Sequence, residues 1–236
     1  MSADPERAVS GDSAVLEDSA VSANGVNPSV RATLLATEHW SLLGSRSTTW
    51  AEVMSRISIH LTVTSAALVV LALVVQTTGF GRAFEVLSIG LASGVLVLGT
   101  LTGIRVLNAS VDDLGFILGM NRIRAAYVNL DPGLADHLIT SAHDDHAGLM
   151  RTYLMGARRS TLSHVLGSTS MFMNVTNSIV AGILGALVSN AAGTSDAVVA
   201  VIGSVAFLAY FAGTLLLARR TFRQPPESAH FPTPTP

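Results

Sequence analysis

Residues 57–81 read ISIHLTVTSAALVVLALVVQTTGFG, 25 positions between Arg56 and Arg82 that carry no formal charge and hold only His60 as a titratable group. A helix needs about 20 apolar residues to cross a hydrocarbon core of about 30 Å, so this stretch is long enough for one span. Three more charge-free intervals follow: 19 residues between Glu85 and Arg105, 36 between Arg159 and Asp196, and 22 between Asp196 and Arg219. The first and last of these hold one span each. The 36-residue interval is too long for one span and too polar at its start (Ser160, Ser163, His164, Ser168, Ser170) for two, which places its crossing near residues 171–190 with Gly167 as a break before it. Because the runs are continuous rather than alternating, they argue for helices and against a membrane β-barrel. The expected fold is all-α: a polytopic membrane protein with four transmembrane helices as two hairpins, at 57–106 and 171–218, and a small cytoplasmic helical layer.

Composition supports that reading. Of 236 residues, 49% are apolar and 13% charged, about half the charged share of an ordinary soluble domain, and mean hydropathy is +0.50. The absence of cysteine excludes disulfides, thiolate metal sites and thiol catalysis. A formal net charge of −2 leaves no basic field for a nucleic-acid partner. No Walker loop, GxSxG elbow, dinucleotide fingerprint or kinase signature occurs, so the chain reads as non-enzymatic and without a cofactor.

Cation placement sets the expected orientation. All 14 basic residues are arginine, a bias that suits a GC-rich bacterial genome. With both termini in the cytoplasm, 13 of them (Arg7, Arg31, Arg46, Arg56, Arg105, Arg122, Arg124, Arg151, Arg158, Arg159, Arg219, Arg220 and Arg223) lie inside and Arg82 alone outside. A multi-pass protein of a bacterial plasma membrane is therefore expected, with short outer loops. The first 30 residues carry five acids (Asp4, Glu6, Asp12, Glu17, Asp18), one arginine and no apolar core. They do not read as a signal peptide, and residues 1–33 are expected to be a disordered acidic tail. Residues 219–236 form a cytoplasmic tail whose last 13 positions contain five prolines.

Between these parts, capping-box spacing at Thr49 and Glu52 opens a helix near Trp50, within an amphipathic interfacial segment, 34–56, that runs straight into the first span. Trp50, Val53, Met54 and Ile57 share one face of it. Trp40 and Trp50 are expected to anchor at the interface. Across 107–170, Ser110 and Asp113 suggest a second cap, Asp131-Pro132 a third helix start, and 145–156 a short helix. Small residues four apart (Gly90 and Gly94, Gly99 and Gly103, Ser178 with Gly182 and Ala186, Ala209 and Gly213) argue for close helix packing, within the chain or in a homo-oligomer.

Three groups are candidates for function. His60, four residues past Arg56 and so expected at headgroup depth as an interface histidine, with a proton relay as the alternative, and Asn174 and Asn177, able to glue helices or line a cavity, are the polar candidates of the spans. Thr64 is one turn from His60 as a hydrogen-bond partner. Asn121, Arg122 and Arg124, near Asp112 and Asp113, form a polar group that could be an internal ion pair or a dock for an anionic lipid or an acidic protein partner. His143, Asp144, Asp145 and His146, with His137, are weak metal-ligand candidates whose spacing fits no closed zinc pattern, so a polar turn with Asp144 or Asp145 as helix cap is the simpler reading. A metal-dependent membrane enzyme built on this cluster ranks third among functions.

The stretches Thr37-Glu38-His39-Trp40-Ser41-Leu42-Leu43, Arg46 and Trp50, and Gly119-Met120-Asn121-Arg122-Ile123-Arg124 with Tyr127, resemble an uncharacterised family of small four-span integral membrane proteins widespread in actinobacteria. The likeness runs over residues 34–222. It implies the four-helix architecture with a cytoplasmic middle segment, and no activity, substrate or cofactor. The leading expectation is a membrane interaction or scaffold module acting through its cytoplasmic face; the alternative is a homo-oligomeric channel or small transporter.

Overall fold

The computed structural model describes residues 27–155 and 166–223. The acidic stretch before residue 27, the pair Arg158 and Arg159, and the proline-rich end after residue 223 lie outside the described residues. Within them the chain is helical with no strand: α1 (Pro28–Thr78), α2 (Arg82–Leu130), a 3-10 turn (Pro132–His137), α3 (His146–Tyr153), α4 (Thr169–Ala191) and α5 (Asp196–Arg223). Four of these, α1, α2, α4 and α5, are long and apolar enough to cross a membrane, as a multi-pass membrane protein requires.

α1 begins well before Trp50. Asn27 caps it by accepting from the Ser29 N–H at 3.0 Å, and Pro28 takes the first helical position, where its missing N–H is not needed. Residues 28–33, assigned from composition to a disordered tail, are thus its first turns. Thr49 and Glu52 match a cap pattern but lie inside the helix; Glu52 instead pairs with Arg56 and with Arg105 of α2, at 2.9 and 2.8 Å. α1 ends at Gly79, whose φ of +65° is a left-handed conformation that favours glycine. Likewise α2 runs unbroken through Ser110 and Asp113. The Ser110 hydroxyl donates back to the Val106 carbonyl, and Asp113 points across to α1. The Asp131-Pro132 and Asp145 signals do start elements: each carboxylate accepts a backbone N–H, from Gly133 at 2.9 Å and Gly148 at 2.7 Å. Ser168 caps α4 in the same way through Met171.

α1 packs antiparallel along α2, and α4 along α5, with α2 against α4 joining the two pairs. Register is fixed by Arg46 opposite Asp113, Glu52 opposite Arg105, and Leu42 against Gly119. The inward positions recur every seven residues. On α1 these are Val53, His60 and Ala67; on α2 they are Ser88, Val95, Thr102 and Ala109, and Gly99, Val106, Asp113 and Met120. A seven-residue repeat keeps one face on its partner over many turns. Val53, Ile57, Val106, Ala109 and Met173 form the apolar core, with Trp50 packed on it.

Only some of the small-residue pairs pack. Gly182 and Gly203 bring α4 and α5 together so closely that a Cβ on either would lie 3.1 Å from the other's carbonyl oxygen. Gly90, Gly94 and Gly213 have nothing within 4 Å of a Cβ position and face outward.

Candidate functional site

Two polar clusters stand out, one inside the apolar layer and one beyond it. The inner cluster sits where α1, α2 and α4 cross. His60 lies one turn past Arg56 and Gly99 about a turn and a half before Arg105, so both lie on the arginine side of the layer. His60 is 1% exposed and Asn177 2%, so neither faces headgroups. They meet over Gly99: a Cβ there would lie 2.0 Å from Asn177 Oδ1 and 2.8 Å from His60 Cε1. Both His60 ring nitrogens and Asn177 Oδ1 are buried without a hydrogen-bond partner. Thr64 does not supply one, because its hydroxyl donates to the backbone carbonyl of His60.

Asn174 and Asn177 part company. Three residues turn Asn174 toward α5, where its Oδ1 accepts from the Thr214 hydroxyl and its amide donates to the Phe211 carbonyl at 3.4 Å. Tyr210 on α5 shares a hydrogen bond of 2.9 Å with Thr100 on α2. Polar side chains therefore tie α2 and α4 to α5 at the level where His60 of α1 packs on Asn177. In an apolar setting such bonds hold helices together where hydrophobic drive does not. Sequence spacing did not signal Thr100, Tyr210 or Thr214, which look like ordinary residues of apolar helices.

The outer cluster is the paired arm formed by α1 before Arg56 and α2 after Arg105. Its centre is Asp113, 2% exposed. The carboxylate accepts from both nitrogens of the Arg46 fork, at 2.6 and 3.2 Å, and from the Trp50 indole N–H at 2.9 Å. Trp50 is thus a structural donor rather than an interfacial anchor, whereas Trp40 is 72% exposed. Asp112 pairs with Arg105 instead.

Farther along, Asn121 is wholly buried and fully used. Its amide donates to the His143 carbonyl at 2.7 Å, and its Oδ1 accepts from Arg124 at 2.8 Å and from the Thr152 hydroxyl at 2.9 Å. Arg122 pairs with Asp144, also wholly buried, of which one oxygen, Oδ1, has no hydrogen-bond partner. These residues fasten the 141–152 segment onto α2. The docked turn is tight: a Cβ on Gly148 would lie 2.2 Å from the His143 carbonyl oxygen. Arg122 and Arg124 therefore face their own chain, and their ion-pair partners are not Asp112 and Asp113. His143 and His146 gain no third ligand, since no group of three metal-ligating side chains comes together among the described residues.

Comparison with family models, with curated proteins and with solved structures finds no match. The residues that carried the resemblance nevertheless meet in space. Leu42 lies against Gly119, His39 stacks on Tyr127 with ring centres 6.3 Å apart, and Arg46 and Trp50 hold Asp113.

The His39 contact has a pH consequence. Burial, and then the Arg124 cation, hold its imidazole below the ordinary value of 6.5. The folded arm thus takes the proton less readily than the unfolded chain, and stability falls as pH drops below that value. Thermal melts in mild detergent should weaken on acidification from about pH 7.5 to about pH 5.5, and His39→Gln should remove a measurable part of that slope. An unchanged slope in the variant would count against the contact.

Proposed function

We propose that this chain is a non-enzymatic membrane interaction or scaffold module of a bacterial plasma membrane, working through the helical arm on its cytoplasmic side. In this reading the apolar parts of α1 and α2 form one transmembrane hairpin and α4 and α5 the other. Both termini are inside, as the arginine count favours. It belongs with the four-span actinobacterial family its motifs resemble.

The observation that carries the reading is the arm itself. α1 from Pro28 to Arg56 and α2 from Arg105 to Leu130 each run about 40 Å beyond the span at 1.5 Å per residue, and they touch as far out as His39 on Tyr127. The arm is organised by internal ion pairs and leaves Leu34 and Trp40 exposed at 60% and 72%. Large apolar side chains on a rigid polar scaffold are the usual anchors of a protein interface. Arg122 and Arg124, the candidates for docking an anionic lipid, bond to Asp144 and Asn121 within the scaffold.

The alternative, a homo-oligomeric channel or small transporter, has less support. His60 and Asn177 point into the single-chain bundle, and Asn174 is bonded to α5, so none of them is turned toward a shared pore.

A photoreactive benzophenone residue at position 40 tests the reading in cells. It should yield one protein adduct of defined mass, while the same residue at position 205, on the apolar face of α5, should yield none of that mass. Failure to obtain the adduct, together with solute flux in proteoliposomes that His60→Ala abolishes, would replace this proposal with the channel.

A further inference from the structure

α5 packs along α4 and meets α2 at Tyr210 and Thr100, which leaves an open groove between α2 and the α4–α5 pair. Leu96, Leu184, Val188, Ile202 and Ala206 line it, Tyr210 closes it, and its volume is about 650 Å³. The lining from Ala181 to Ala192 on α4 extends about 17 Å at 1.5 Å per residue. That is close to the depth of one leaflet, half of a hydrocarbon core of about 30 Å.

The groove offers nothing to a polar ligand. The Tyr210 hydroxyl at its deep end is engaged by Thr100, and at its mouth the Ser189 and Thr194 hydroxyls bond each other at 2.7 Å. What fits is an unbranched hydrocarbon chain lying parallel to the helices.

The mouth does carry charge. Arg82 and Glu85 open α2, 14 and 11 residues before Leu96, and at 3.6 residues per turn both return close to the Leu96 side of the helix. They are one turn apart, opposite in sign, and neither forms an ion pair among the described residues. Asp196 at the start of α5 is about 120° round that helix from Ile202, turned away from the groove. One cation and one anion, both unpaired, match a headgroup that presents a phosphate and a primary ammonium together. A purely anionic headgroup would meet Glu85, and a quaternary ammonium has no N–H to give it.

We propose that the α2–α4–α5 groove binds one acyl chain of a zwitterionic phospholipid, with Arg82 on the phosphate and Glu85 on the primary ammonium. The test is native mass spectrometry of the full chain released from nanodiscs containing equal parts of phosphatidylethanolamine, phosphatidylcholine and phosphatidylglycerol. The wild type should retain one lipid, phosphatidylethanolamine favoured up to about fivefold over either competitor, the most that the one discriminating exposed ion pair, at Glu85, supplies. Val188→Trp, which fills the groove from a half-exposed position, should lose the retained lipid. Val205→Trp, on α5 outside the groove, should keep it. The double variant Arg82→Gln, Glu85→Gln should retain a lipid with no preference among the three. Retention unaffected by Val188→Trp, equal retention of all three by the wild type, or release as a lipid-free dimer would each overturn the proposal.

Discussion

Replacing Gly99 with alanine is expected to lower the thermal midpoint in mild detergent by about 2–8 °C, on the basis of about 2–4 °C per kcal/mol for a chain of this size and a net cost of about 1–2 kcal/mol, an overpacking cost of about 2–3 kcal/mol less the gain in helical preference. The cause is geometric. The new methyl would fall 2.0 Å from Asn177 Oδ1 and 2.8 Å from its Cγ, well inside contact distance. α4 cannot withdraw cheaply, because Asn174 and the Gly182–Gly203 contact hold it to α5. The helical preference of alanine over glycine, about 1 kcal/mol, offsets only part of this. Gly94→Ala is the internal control. With nothing within 4 Å of its Cβ position it should be neutral or slightly stabilising. The decisive measurement is the double variant Gly99→Ala, Asn177→Ala, which removes the colliding amide and should recover most of the lost midpoint. His60 Cε1, also at 2.8 Å, belongs to a ring that can rotate away, so the recovery will be incomplete. If Gly99→Ala melts with Gly94→Ala, the crossing of α1, α2 and α4 is looser than drawn here.

That crossing shows what the amino-acid sequence could and could not disclose. The four long apolar helices were legible because charge-free length is a direct consequence of hydrocarbon thickness. The boundaries of α4 were legible to within two residues, since Gly167 marks a break before it and a polar loop follows it, whereas the Ser168 cap was not singled out. The extension of α1 before Trp50 and the continuity of α2 beyond the apolar layer were not. Arg56 and Arg105 end the hydrophobic runs, and Thr49 with Glu52, and Ser110 with Asp113, mimic helix starts at those places. A cap pattern is local, whereas here the residues inside it are claimed by distant partners: Glu52 by Arg105, Asp113 by Arg46. The seven-residue repeat that joins the helices is interrupted by His39, Arg46, His60, Gly99, Thr102 and Asp113 among its apolar members, so a search for apolar periodicity passes over it. His60 and Asn177 were recognisable as polar residues in an apolar run. Their meeting over Gly99 needed the packing of three helices, and no single stretch of sequence contains that.

Asp113→Ala is expected to loosen the arm while leaving the spans in place. A half-buried guanidinium and an indole N–H would both lose their acceptor. Breaking a buried pair by removing one partner costs about 3–5 kcal/mol, but the Arg46 side chain is 35% exposed and water can take over part of its solvation, so about 2–3 kcal/mol is expected. Asp113→Asn keeps an acceptor for Trp50 and loses only the charge, and should cost about 1 kcal/mol. Arg46→Ala should cost as much as Asp113→Ala, because it leaves a carboxylate that is 3% exposed with one neutral donor. The pair Arg46→Met, Asp113→Leu should restore most of the stability, since it removes both charges together and leaves only the Trp50 indole N–H without its acceptor. Two readouts separate the arm from the spans: red-shifted emission and faster quenching of Trp50, read in a Trp40→Phe background, and faster hydrogen exchange in residues 36–50 and 113–127 with unchanged exchange in residues 61–75. If the arm is the interaction surface, Asp113→Ala should also abolish the adduct formed from position 40, and the apolar double variant should bring it back. An adduct that survives Asp113→Ala at full yield would mean that the partner reads Trp40 on a single helix and that the packed arm is not what it recognises.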